Sequence, residues 1–246
     1  MTLKLRLLAI LGAAGFLTAG ALAITPSWSF ENSKITSGEF QIRNVCMMPA
    51  EAKLSKVTMK GGQGMSNESD NWTTALENLV EAHLKTAGVQ ILEATDRMAS
   101  GASDDEIRQV ILQLNQKYEG VANQLNKHPK DIRKSRYTLG DDAALLPCAA
   151  KSDVLVFVQG EGQVTSGGKK AMGMLVGGKS NTSYATLILT MADAKTGEIL
   201  AFARLANAES FGEKFVDQTE SVYGKALDKQ LSRLRIGMYL EKKKKH

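Results

Sequence analysis

The sequence predicts an α/β (α+β-like) fold, in which a mixed β-sheet of about five strands is covered by helices and a C-terminal β-hairpin is followed by a helix. Helical and strand patterns alternate in the first half of the chain. The run Asp153–Val158 is almost entirely apolar and β-branched or aromatic, as in a strand covered on both faces. Near the C-terminus, the turn sequence Asp193–Glu198 separates two apolar runs, which predicts the hairpin.

Amphipathic helices are predicted where apolar side chains recur at three- and four-residue spacing. The first such helix covers about residues 72–87. The second begins at the capping box that Ser103 opens, and it stops before Pro129 because the residue preceding a proline disfavours helix. The last covers about residues 215–234, and a shorter helix, bent or restarted near Pro147, is predicted over 141–150.

Five segments are predicted as strands: 40–48, 89–92, 153–158, 184–192 and 199–205. Two glycine-rich stretches are predicted as loops instead.

The two glycine-rich stretches predicted as loops are residues 50–70 and 159–182. Within the second, residues 173–180 fit the phosphate-binding pattern GxxxxGK[ST]. That chemistry needs a helix after the loop, whereas the strand pattern 184–192 follows here. We therefore interpret the stretch as a basic loop whose role the sequence does not indicate.

Residues 1–23 predict a signal peptide that is cleaved after Ala23. Lys4 and Arg6 form its positive region, and Leu7–Leu17 is its apolar run. A retained membrane anchor is the alternative, but the uncharged apolar stretch is shorter than the ~20 residues that span a bilayer. The predicted location is therefore the periplasm or the cell exterior, with no membrane span after cleavage.

The remaining chain divides into an irregular lead-in over 24–40, a single mixed α/β domain over 41–236 and a charged tail over 237–246. The net charge of +5 falls to about +3 once the leader is removed, and aromatic residues make up only 6% of the chain. Neither value indicates nucleic-acid binding.

Cys46 and Cys148 are the two cysteines of the chain. An even count in an oxidising compartment allows one disulfide between them. Two separate, buried thiols that pack as small apolar side chains are the alternative.

A basic stretch follows the second long helix, and it is the candidate contact for an acidic partner, an anionic lipid or a cell-wall polymer. A solvated helix end is the alternative interpretation. The positive residues are Lys127, Lys130, Arg133, Lys134 and Arg136.

No catalytic, cofactor or metal site is predicted. The three histidines are dispersed, and His83 falls on the apolar face of a helix, where packing is the simpler role. The acidic pairs at 104–105 and 141–142 are adjacent residues, whose side chains point in different directions on a helix. No Gly-x-Ser-x-Gly motif is present.

The order of motifs resembles envelope proteins related to the curli secretion-channel lipoprotein and to the lipoprotein activators of penicillin-binding proteins. The resemblance rests on the strand ending VCMMP at Pro49, on GDDAA at 140–144 followed by KSDVLVFV at 151–158, and on LILTMADAKTGEILAFA at 187–203. It implies an α/β domain that works by protein–protein contact and has no enzymatic residues. The chain departs from those lipoproteins because it lacks the lipid-acceptor cysteine.

Together these observations predict an exported, non-enzymatic accessory protein that contacts other envelope proteins. A self-associating envelope assembly or secretion component, and thus a homo-oligomer, is the alternative. An enzyme whose site is assembled from dispersed residues is a second alternative.

Overall fold

A computed structural model describes residues 27–58, 61–95, 103–165, 183–207 and 215–236 of the chain.

Several sequence features lie outside the described residues. They are the predicted leader, the charged tail 237–246, and residues 166–182, which include the phosphate-loop-like motif.

Eight strands form one mixed sheet in the described part of the chain. They are β1 (Trp28–Glu31), β2 (Asn44–Met47), β3 (Glu51–Thr58), β4 (Gly61–Gly64), β5 (Gln90–Glu93), β6 (Val154–Thr165), β7 (Tyr184–Asp193) and β8 (Ile199–Asn207). The main order is β1-β8-β7-β6-β2-β5. The first part of β6 pairs in parallel with β2 and the second part with β3, which in turn pairs with β4.

Four α-helices and four short 3₁₀ helices accompany the described strands. The α-helices are α1 (Ser33–Ser37), α2 (Ser66–Thr86), α3 (Asp104–Lys127) and α4 (Thr219–Arg233). The 3₁₀ helices are Pro129–Lys134, Asp141–Leu145, Ala149–Lys151 and Phe215–Gln218. None of the described helices combines the length and the apolar character that crossing a bilayer requires.

The sheet has an apolar core on each face. Helices α2 and α4 pack on one face, where Trp72 and Leu76 are fully buried. Helix α3 packs on the other face, where the ring of Tyr118 stacks on Phe157 with centroids 4.4 Å apart. The Tyr118 hydroxyl shares a hydrogen bond of 2.7 Å with Thr190, which satisfies both buried polar groups.

The α/β class, the C-terminal hairpin and the final helix are confirmed. The capping box is also confirmed, because Ser103 Oγ accepts from the Glu106 amide while the Glu106 carboxylate accepts from the Ser103 amide. Helix α3 ends at Lys127, as Pro129 predicts.

The described sheet has eight strands, compared with the predicted count of about five. Strands β3 and β4 lie in the predicted loop 50–70. Their side chains are mostly polar or glycine, since they form an edge hairpin whose stability comes from backbone pairing with β6. Strand β6 likewise continues to Thr165, into the predicted loop 159–182.

The described part of the lead-in, residues 27–40, is not irregular, because it contains β1 and α1. The side chain of Asn32 accepts a hydrogen bond of 3.0 Å from the Lys34 amide and so caps α1. The predicted interruption of the helix 141–150 near Pro147 is confirmed, but the two parts are 3₁₀ helices and not α-helices. Pro147 lacks an amide hydrogen and prevents a continuous α-helix there.

A cationic surface on the Pro129–Lys134 helix

The predicted basic stretch folds as the 3₁₀ helix Pro129–Lys134, called here the basic 3₁₀ helix. A 3₁₀ helix has three residues per turn, so side chains three positions apart lie on one face. Pro129 and Ile132 share the inner face; Ile132 is fully buried and Pro129 is half-buried. The helix ends at Ser135, which adopts a left-handed conformation with φ of 51°.

The two outer faces differ in charge. On one face, Asp131 lies 3.5 Å from the Lys134 ammonium and 3.3 Å from the Arg136 guanidinium. On the other face, Lys130 and Arg133 are exposed. Neither Lys130, Arg133 nor the exposed Lys127 forms an ion pair with a carboxylate in the described part of the chain. We call these three residues the cationic surface.

Arg133 is positioned by an aromatic cluster on the edge of the sheet. Its guanidinium carbon lies 5.7 Å from the centre of the Phe30 ring, a distance typical of a cation–π contact. The Phe30 ring lies against Trp28, with centroids 5.5 Å apart, and Trp28 lies 5.3 Å from Phe202. The cationic surface is therefore fixed beside β1, the first strand of the sheet.

Buried hydrogen bonds hold the backbone of the basic 3₁₀ helix. Asn32 is fully buried, and its side-chain nitrogen Nδ2 donates to the Ile132 carbonyl at 3.3 Å and to Ser135 Oγ at 3.2 Å. The same nitrogen lies 2.8 Å from Glu198 Oε1. At the other end, the Tyr137 hydroxyl donates to the His128 carbonyl at 2.9 Å. The helix is thus anchored at both ends.

Glu198 is ionised within this anchor. Burial raises the pKa of its carboxyl group, but hydrogen bonds from Lys34, Ser135 and Asn32 outweigh burial and bring the pKa below its usual value. The Lys34 ammonium lies 2.5 Å from Glu198 Oε2. Lys34 is therefore a neutralised cation, and it does not add to the cationic surface.

The other predicted pair, Cys46 and Cys148, lies away from this surface. Cys46 is in β2, and Cys148 lies between two short 3₁₀ turns. Both residues are buried, their Cα atoms are 5.6 Å apart, and the sulfur atoms are joined. This separation suits a disulfide. The disulfide stays a prediction, which a count of free thiols in the unfolded chain tests.

His83 bridges two helices. Its Nδ1 atom lies 2.6 Å from Asp228 Oδ1, and its Nε2 atom lies 3.2 Å from Glu220 Oε1. Both carboxylates belong to α4, so the ring links α2 to α4. Within the described residues, no three His, Cys, Asp or Glu side chains are grouped so that they could hold a metal ion.

Sequence reasoning identified the five positive residues but missed their division into paired and unpaired groups. It also missed the role of Phe30 and Asn32, since both fall in the segment that was expected to be irregular. Trp28 and Phe30 alternate with polar residues, which indicates a strand. Four residues are too few, however, to establish the two-residue period of a strand.

No protein-family model matches the chain, and no curated protein matches it. Solved structures of the PelC dodecamer from Paraburkholderia phytofirmans are similar. One is 10% identical, covers 86% of this chain and 97% of the PelC chain, and has a TM-score of 0.35. A single-substitution variant is 7% identical, with coverage of 86% and 98% and the same TM-score of 0.35. At these TM-scores neither likeness carries an inference about this chain.

Proposed function

We propose that the chain is an exported cell-envelope protein that acts by contact with other proteins, and that the cationic surface binds an acidic site on its partner. One observation supports this most. The basic 3₁₀ helix pairs Lys134 and Arg136 with Asp131, yet it leaves Lys130 and Arg133 exposed without a carboxylate. The unpaired charges are therefore available to a partner.

The anchoring of this helix also favours binding. Its backbone is held by Asn32 and Tyr137, so a partner orders only side chains when it binds. The Arg133 guanidinium already rests on Phe30, which restricts its conformations further. Exposed charges of this kind raise the association rate and select partners of opposite charge, and salt weakens their effect.

The test is in-cell crosslinking of the full chain, followed by mass spectrometry of the attached envelope proteins. We expect K130Q/R133Q to lower the yield of the dominant crosslinked partner by about tenfold, on the order of 1.4 kcal/mol for two charge contacts. The control K134Q/R136Q removes two charges from the same segment. It should change the yield by less than about twofold, because both side chains already share Asp131.

Equal loss in the two variants would contradict the proposal, since it would show that only total charge matters. A partner whose contact site is basic or apolar would contradict it as well. The proposal assigns the chain no catalytic step, so turnover of a substrate by the purified protein would also count against it.

Self-association is a second candidate function. It is favoured by charges of opposite sign at the two ends of the sheet. The cationic surface lies beside β1, the first strand in the sheet order, and a pocket near β5, the last strand, is lined by Glu77, Glu81 and Glu93. Burial raises the pKa of Glu77, and the charges of Glu93 and Glu81 raise it further. A cation from a second copy would relieve this repulsion.

Such a contact would join different surfaces of successive copies, which builds rings or filaments. Sedimentation of the purified protein distinguishes the two functions. If self-association is correct, the mass should exceed that of the monomer at low salt and fall at high salt, and K130Q/R133Q should give monomers. A monomer at low salt and high concentration would exclude self-association while leaving binding to another protein intact.

A further inference from the structure

The imidazole ring of His83 lies between two carboxylates of α4. Its Nδ1 atom is 2.6 Å from Asp228 Oδ1, and its Nε2 atom is 3.2 Å from Glu220 Oε1 and 3.3 Å from Glu220 Oε2. The His83 side chain is only 13% exposed, whereas those of Glu220 and Asp228 are 70% and 52% exposed. The ring is therefore enclosed between the helices, and each of its nitrogen atoms faces an acidic oxygen.

The hydrogen-bonding capacity of the two partners indicates the charge of the ring. An ionised carboxylate only accepts hydrogen bonds, and exposed carboxylates are ionised at neutral pH. A neutral imidazole donates from one nitrogen and carries a lone pair on the other, which would then face a carboxylate oxygen. The imidazolium form donates from both nitrogens. The imidazolium is therefore the form that matches both partners of His83.

Helix α4 has a glycine where this bridge passes. Glu220, Gly224 and Asp228 follow one another at intervals of four residues, so they lie on one face of α4. A Cβ atom on Gly224 would lie 2.4 Å from Glu220 Oε1 and 3.4 Å from His83 Nε2. Glycine within a helix is unfavourable relative to alanine, but here it leaves the space through which the Glu220 carboxylate reaches the ring.

The helices around the ring add no positive charge beside it. The residues one turn away on α2 are uncharged, and they are Leu79, Val80, Thr86 and Ala87. The 3₁₀ helix Phe215–Gln218, which also packs on α2, brings the exposed Asp217. The charge of Asp217 has the same sign as those of Glu220 and Asp228, so it does not oppose an imidazolium.

The strands that α2 covers direct their charged side chains elsewhere. Glu51 and Lys53 of β3 contact residues of α3, on the opposite face of the sheet. Lys56 lines a pocket with the first turn of α2, Glu161 of β6 lines a pocket with residues of α3, and Glu93 of β5 lines the acidic pocket described above. In the described part of the chain, the ion pairs of the ring are therefore those with the two carboxylates of α4.

We propose that protonated His83 is a pH-sensitive clamp that holds α4 against α2. Histidine changes its charge between about pH 5 and pH 8. The clamp is closed while the ring carries both protons, and it loses one of its two hydrogen bonds when the ring becomes neutral. Its contribution to stability is therefore present at the acidic end of this range and decreases as the pH rises. The inference is independent of the proposed function, because none of these residues belongs to the cationic surface.

The test is the melting temperature of the purified full chain between about pH 5.5 and about pH 8.5, compared with that of H83Q. Exposed carboxylates stay ionised over this range, and the comparison cancels the contributions of the other two histidines. We expect the wild type to lose about 3–6 °C more than H83Q as the pH rises, the effect of one charge-assisted hydrogen bond in a chain of this size. Equal losses in the two proteins would overturn the proposal.

The carboxylates of the clamp need their own variant and a matched control. E220Q/D228N keeps the shape of both side chains but removes their charges, so it should lose most of the excess pH dependence. The control D142N removes the carboxylate from the Lys117–Asp142 pair, whose ammonium stays charged over the same range. It should keep the wild-type pH dependence within about 1 °C. A loss in D142N as large as that in E220Q/D228N would contradict a specific clamp.

G224A tests the geometry of the clamp. The added methyl group should displace the flexible end of Glu220 from the ring, while alanine itself favours the helix. We therefore expect G224A to raise the melting temperature relative to wild type more at alkaline than at acidic pH. NMR of the ring nitrogens gives a readout separate from stability, and at about pH 6 both nitrogens of His83 should carry hydrogen. A ring nitrogen without hydrogen at that pH, or an effect of G224A that is equal at both ends of the range, would overturn the proposal.

Discussion

Replacing both Cys46 and Cys148 by alanine should lower the free energy of unfolding by about 4 kcal/mol. The two residues are separated by 102 positions, so a bond between them closes a very long loop and restricts the unfolded chain. Loops of this length correspond to a gain of about 4–5 kcal/mol in the chain-entropy description. Urea unfolding, followed by the fluorescence of the two tryptophans, measures the difference.

Two controls separate the bond from the packing of the cysteines. The wild-type protein in excess reductant should lose nearly the same stability as C46A/C148A, whereas the double variant should be insensitive to reductant. A thiol count completes the test: alkylation of the unreduced, unfolded chain should modify neither cysteine. Two modified cysteines would show that the disulfide is absent, and they would remove the basis of the predicted loss.

G160A should lower the free energy of unfolding by about 1–3 kcal/mol, as overpacking of a close-packed core does. The added Cβ would lie 2.6 Å from Leu76, 2.8 Å from Trp72 and 3.0 Å from Ala52. Two of these neighbours belong to α2, so the methyl group would push that helix away from the sheet. Thermal unfolding should show a melting temperature lower by about 2–4 °C for each kcal/mol.

The matched control is G62A, which adds the same methyl group to β4, another strand of the sheet. No atom lies within 4 Å of that Cβ position, so the stability should stay within about 0.5 kcal/mol of wild type. A double-mutant cycle with L76A isolates the contact. In the L76A background, the penalty of G160A should shrink, because the nearest neighbour is gone. A penalty that is unchanged by L76A would contradict the proposed clash.

The long helices and the hairpin could be predicted because each carries its signal in consecutive residues. Helix α3 shows its apolar stripe, its capping box and the proline that ends it. The hairpin shows the turn in which Asp193 Oδ1 accepts hydrogen bonds from the amides of Lys195 and Thr196. These features depend on local geometry, which the order of residues expresses directly.

The second half of β6 could not be predicted, because Gly160 and Gly162 are typical of a loop. The reason for glycine at both positions is visible only in the folded structure, because Trp72 of α2 packs directly over them and leaves little room for a Cβ atom. Strand β3 was missed for a related reason. Only Leu54 of its eight residues is buried, so the strand lacks the apolar alternation that a period-two pattern requires. In both cases a distant partner determines the local structure.

The candidate site was also only partly predictable from the sequence, because its charges depend on contacts made in the fold. Composition identified the basic stretch, but the charge of each face depends on the three-residue turn of the 3₁₀ helix and on a pairing with Asp131.

The pairing of the sheet has a consequence for when the chain can fold. Strand β6 joins β2 across a sequence distance of more than 100 residues, and β1 pairs with β8, where Trp28 lies opposite Arg204. Contacts between such distant segments form slowly, because a long loop must close before any contact is gained. The first strand therefore has no partner until about residue 200 has been made. Within the described sheet, the edge that β1 forms with β8 is therefore completed only near the end of synthesis.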